Sequence, residues 1–124
     1  MNTAFIILLM IFCHIVDDYY LQVGCLSSLK QKSWWEENVS AKLYKHDYLW
    51  ALLMHSFSWA FMIMLPIAFT MNFQIDSAFC IVFMFNIIIH ALVDNEKANR
   101  FTINLWVDQL IHLWQIGCTA LFLL

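Results

Sequence analysis

Residues 77–96 read SAFCIVFMFNIIIHALVDNE, apolar over most of their length with Asn86, His90 and Asp94 spaced four apart. At 1.5 Å per residue such a run covers about 30 Å as a helix, the thickness of the hydrocarbon core of a bilayer. It lacks the alternation that a strand of a membrane barrel requires. A helix satisfies every backbone donor within its own segment, which lipid demands. The same reading applied outward finds three more such runs, about 3–24, 47–71 and 102–124. The whole chain is 63% hydrophobic and 12% charged, against roughly 45–50% and 25% in a soluble domain. The predicted fold is therefore all-α: a polytopic membrane protein, a four-transmembrane-helix bundle in a single domain spanning 1–124. An interfacial helix is expected between spans one and two, where Lys30, Lys32, Trp34, Trp35, Glu36, Glu37, Lys42 and Lys45 lie. Pro66 is expected to kink the second span or begin its end.

All six basic residues fall in two connections, four lysines between the first and second spans and Lys97 with Arg100 between the third and fourth. The positive-inside rule puts both connections in the cytoplasm, leaving the N-terminus, the Asn72–Asp76 loop and the C-terminus outside an inner membrane. A net charge of −3 offers no basic surface for nucleic acid. Cys13, Cys25, Cys80 and Cys118 show no CxxC spacing and read as small hydrophobes rather than disulfide partners. The N-terminal run has neither a basic n-region nor a small-residue cleavage site, so it reads as a retained helix.

The polar residues inside these runs are few and patterned. His14, Asp17, Asp18 and Gln22 fall on one face of the first span. His55 stands in the second, Asn86, His90 and Asp94 in the third, and Asn104, Asp108, Gln109 and His112 in the fourth. Counted from the cytoplasmic helix ends, the His and Asp residues share one layer about 3–15 Å deep. Gln115 lies one turn beyond it and is expected to tolerate alanine.

An isolated Asp at a helix centre costs about 2.5–3.5 kcal/mol of insertion energy, so several together require pairing, water or a cation. Imidazole and carboxylate are ligands for zinc, iron or manganese, and helix bundles assemble such sites from i, i+3 and i, i+4 pairs. The expected ligands of one or two ions are His14, Asp18, His55, His90, Asp94, Asp108 and His112. Asp17, Asp18 and Asp108 are candidates for acid–base work, and Gln22, Asn86, Asn104 and Gln109 for orienting the ligands. Lys97 and Arg100 are topology signals, with lipid headgroup binding as a further role.

His14-x3-Asp18-x3-Gln22, His55, His90-x3-Asp94 and Asp108-Gln109-x2-His112 together resemble an uncharacterised family of short phage and bacterial integral membrane proteins. The resemblance covers nearly the whole chain. A weaker one connects it with predicted membrane-bound metal-dependent hydrolases. The resemblance implies a His/Asp membrane protein and leaves the reaction open; the reading taken from the residues is an intramembrane metalloprotein, a metal-dependent hydrolase acting on a lipid-borne or amphipathic substrate from the cytoplasmic leaflet. The alternative is a non-enzymatic membrane module, handling protons or cations or blocking a host membrane protein. GxSxG, HExxH and P-loop patterns are absent from the sequence, which removes serine nucleophiles and nucleotides from consideration.

Overall fold

The computed structural model describes residues 2–22 and 24–124. It is all-helical, with no strand among the described residues. Six α-helices follow in order: α1 Thr3–Ile15, α2 Cys25–Leu29, α3 Lys32–Asn38, α4 Asp47–Thr70, α5 Ser77–Asn95 and α6 Leu105–Leu123. Single π-helical turns extend α1 over Val16–Leu21 and α5 over Glu96–Arg100.

Three helical stretches are long and apolar enough to cross a membrane: Thr3–Leu21, Lys42–Thr70 and Ser77–Arg100. α6 matches α5 in length at 19 residues, but Asp108, Gln109, His112 and Gln115 dilute its apolar character.

Local chemistry sets the helix ends. Asn2, Asp76 and Asn104 each cap a helix by accepting from the backbone N–H of Ala4, Phe79 and Val107. The fourth apolar run therefore becomes helical at Leu105, not at residue 102. Asn104 is exposed, and its carbonyl oxygen serves the cap 3.0 Å from Val107 N. This corrects its expected place beside the ligands: the cap takes the side chain outward. Pro66 sits inside α4 without ending it. The reversal into α5 comes at Asn72 and Phe73, both at positive φ.

The long connection is not a single helix on a surface. α2 and α3 pack against α4, and Trp35 closes the segment on itself by donating to Leu29 O at 2.8 Å and stacking on Tyr44.

Ile6 and Met10 of α1, Trp59, Ala60, Ile63, Met64 and Ile67 of α4, Ile87 of α5, and Ile116 and Ala120 of α6 form the apolar core. Outward faces carry Phe5, Leu8, Phe12, Phe57, Phe61, Ile81, Phe85, Leu110, Trp114 and Phe122, all exposed. A surface this apolar around a polar interior is the reverse of a soluble domain.

Candidate metal centre

Beyond Trp59 the core changes from apolar to charged. His14, Asp17, His55, His90, Asp94, Asp108 and His112 are all buried, and Asp18 nearly so. Antiparallel packing brings the end of α1, the start of α4, the end of α5 and the start of α6 to one level, so four helices supply the layer.

Both π-helical turns lie at this end of the bundle. A π turn winds less per residue than an α turn, which keeps consecutive side chains closer in direction. Asp17 and Asp18 thus both reach inward: Asp17 Oδ2 lies 3.5 Å from His55 Nδ1 and Asp18 Oδ1 lies 3.4 Å from His55 Nε2. From the sequence both fall on the face of His14, with Asp18 the better fit to the helical spacing.

Two groups of side chains can hold a metal ion, Asp18 with His55 and His90, and His90 with Asp94 and His112. His55 Nε2 stands 3.0 Å from His90 Nε2 and 3.4 Å from Asp94 Oδ2, and His90 Nε2 stands 3.8 Å from Asp94 Oδ1. Ligands at 2.0–2.1 Å around a tetrahedral ion sit about 3.3–3.4 Å apart, so these separations suit such a shell. His112 Nε2 lies 3.6 Å from Asp94 Oδ1 and 3.4 Å from Asp108 Oδ1.

Hydrogen bonding separates the remaining candidates. Trp59 Nε1 donates to His14 Nδ1 at 2.8 Å, so His14 carries its proton on Nε2 and donates it to Gln109 Oε1 at 3.1 Å. With both ring nitrogens engaged, His14 is an orienting residue in this arrangement rather than a ligand. Asp108 likewise falls outside both groups, taken up by Lys97 Nζ at 2.6 Å and Gln109 Nε2 at 3.0 Å. Gln109 also donates to Asp18 at 3.2 Å, and the Gln22 amide nitrogen is 2.7 Å from His55 Nε2. Both amides thus lie against side chains of the layer. Asn86 does not reach the layer; it bonds Thr119 and Gln115 one turn away. Arg100 pairs with Glu96 at the exposed end of α5.

Three participants carried no sequence signal that was used. Lys30 is buried and its ammonium contacts Asp94 Oδ2 at 2.6 Å. Asn99 fixes this segment by accepting from Lys32 N and donating to Lys30 O. Trp59, besides holding His14, stacks on His90 with ring centroids 4.2 Å apart. Its spacing four residues after His55 puts it on the same face of α4, a cue that was available.

The layer leaves polar atoms without partners: Asp17 Oδ2, Asp18 Oδ1, Asp108 Oδ1, His90 Nδ1 and both nitrogens of His112 have none among the described residues. Buried acceptors left this way each cost about 1–3 kcal/mol, more when charged. Of these residues, Asp18, His90 and His112 belong to the groups that can hold a metal ion.

A family described as "Protein of unknown function (DUF3307)" matches residues 5–123. The chain belongs to this family. No curated protein and no solved structure matches it. The family match takes in all four helices that build the layer, from His14 to His112.

Proposed function

We propose that this family member is an intramembrane metal-dependent hydrolase holding one divalent transition-metal ion, with zinc the best fit to the donor set. Geometry carries the reading: Asp18 with His55 and His90, and His90 with Asp94 and His112, form two groups that can hold an ion, and because they share His90 the reading takes one ion where the sequence allowed two. Asp17, Asp18, Asp94 and Asp108 also outnumber the two ammonium groups among them, Lys30 and Lys97, an excess of acid that a cation offsets.

Asp18, His55 and His90 would hold the ion. When bound, it would polarise the scissile group and bring the pKa of a coordinated water to about 7. His112, 3.4 Å from Asp108, would take the proton that hydrolysis releases and return it to the leaving group. Gln109 and Trp59 keep His14 and Asp18 fixed meanwhile. In hydrolysis, the water oxygen bonds to the acyl or phosphoryl centre, the bond to the leaving oxygen breaks, and that oxygen gains the proton.

The chain would cross the inner membrane four times, α6 included. Its exposed Leu110, Leu113, Trp114, Leu121 and Phe122 support this, with both termini outside and the lysine-bearing connections in the cytoplasm. Cysteines introduced at Lys32 and Asp76, in a background lacking the four native ones, should label from opposite sides. Labelling from the same side rules out four spans.

Elemental analysis tests the centre. The purified protein should carry about one metal equivalent, and His90→Ala or His55→Ala should lower its affinity by more than the roughly 10–100-fold lost when an outer partner of a metal site is removed. Metal-free protein that stays folded and active in chelator would instead favour the proton- or cation-handling module.

A further inference from the structure

A cavity of about 480 Å³ opens between α1 and α6, lined by Ile11, His14, Ile15, Tyr19, Tyr20, Gln109 and Leu113. Its mouth is apolar and exposed, with Ile15 and Leu113 flanked on the same faces by Phe12, Leu110 and Trp114. On a membrane-spanning bundle this mouth faces acyl chains. Its inner end is polar. His14 and Gln109 bond each other there, and Gln109 continues to Asp18 and Asp108, so the groove ends one hydrogen bond from the candidate centre. Asp18 Oδ1 behind it has no partner.

The other two large grooves differ. The one between α4 and α5 is lined by Phe57, Phe61, Phe79, Phe83 and similar side chains and reaches no His or Asp of the layer. The one between α5 and α6 meets Asn86 and Thr119, which already bond each other.

Charge narrows the occupant. No lysine or arginine lines the α1–α6 cavity. Lys30, Lys97 and Arg100 are held by Asp94, Asp108 and Glu96, while Lys42 and Lys45 line a separate pocket beside α3. An anionic headgroup would thus lie in the cavity with no ammonium or guanidinium lining it to pair with, a costly placement in low dielectric. A neutral ester can accept from the phenols of Tyr19 and Tyr20.

We propose that the α1–α6 cavity admits a neutral glycerolipid of the diacylglycerol class, its acyl chain along Ile11, Ile15 and Leu113 and its ester end at the Tyr19 and Tyr20 hydroxyls. This rests on the hydrolase reading and gives it a substrate class and an access route from the bilayer.

The test uses the full chain in phosphatidylcholine vesicles. The probes are a diacylglycerol with a diazirine near the ester end of one acyl chain and a phosphatidic acid with the same chains. Labelled peptides are mapped by mass spectrometry, and cobalt binding is read on the same preparation. The diacylglycerol should label residues 11–20 and 109–113 about tenfold more than the phosphatidic acid, the ratio of a 1.4 kcal/mol preference. Leu113→Trp, or Ile15→Trp where the first fails to bind cobalt, should abolish that labelling and leave labelling of the α4–α5 groove unchanged. Equal labelling by both lipids, or labelling indifferent to the tryptophan that still binds cobalt, overturns the proposal. Selective labelling in protein that binds no cobalt would retain the lipid site while removing the metal reading.

Discussion

Two polar clusters occupy the same bundle one turn apart on α5, and they are built on opposite principles. In the first, Asn86, Gln115 and Thr119 are neutral, and Gln115 Nε2 donates to Asn86 Oδ1 at 2.7 Å while Asn86 Nδ2 donates to Thr119 at 2.9 Å. Only Gln115 Oε1 is left without a partner. In the second, around His90, carboxylates outnumber ammonium groups and six atoms lack partners among the described residues. A cluster that closes on itself holds helices together. A cluster with unpartnered polar atoms and His and Asp side chains grouped closely enough to hold a metal ion has room for a ligand from outside.

Lys30 gives the sharpest way to break the comparison. Lys30→Met leaves Asp94 buried and without its ammonium, which should destabilise the metal-free protein by about 3–5 kcal/mol. Added zinc should restore much of the loss, because the cation supplies the missing charge. Thermal unfolding in detergent with chelator and then with zinc measures both. A loss that zinc leaves unchanged would make the pair a purely structural strut.

The neutral cluster should respond more weakly and without regard to metal. Asn86→Ala or Gln115→Ala should each cost about 0.6–2 kcal/mol, the range of interhelical hydrogen bonds in membranes, with metal content intact. Gln115 was expected from its depth to tolerate alanine. Its bonds to Asn86 make that tolerance an expectation about the metal alone, not about stability. If either substitution emptied the centre, the two clusters would be one unit.

The smallest effect belongs to Asn104. Asn104→Ala removes a helix cap and should cost about 1 kcal/mol, with no change in metal content, since the side chain points away from the layer. Metal loss here would show that the start of α6 positions Asp108 through its cap.

The helical class, the four apolar runs and the layer of His and Asp were all readable from the sequence, because helical periodicity and hydrocarbon thickness act on each segment by itself. Spacing of four also showed that His90 and Asp94, or Asp108 and His112, share a face. Local rules could not say which nitrogen is free. His14 loses its lone pair to Trp59 and its N–H to Gln109, partners 45 and 95 residues away in the chain. Nor could they show that Asp17 and Asp18 both reach His55, which comes with a π-helical turn that no propensity scale signals. Lys30 is the plainest case. In the sequence it is one of four lysines in a polar connection, indistinguishable from Lys32, and topology accounts for both. Only the folding of α2 and α3 against α4, clipped by Asn99, drives one ammonium into the layer and leaves the other outside. The sequence determined that the His and Asp of the apolar helices lie inside the bundle, since their burial follows from hydropathy and helical phase. The tertiary structure decided that Lys30 joins them and which of them are already paired, since pairing depends on contacts between helices that no single segment encodes.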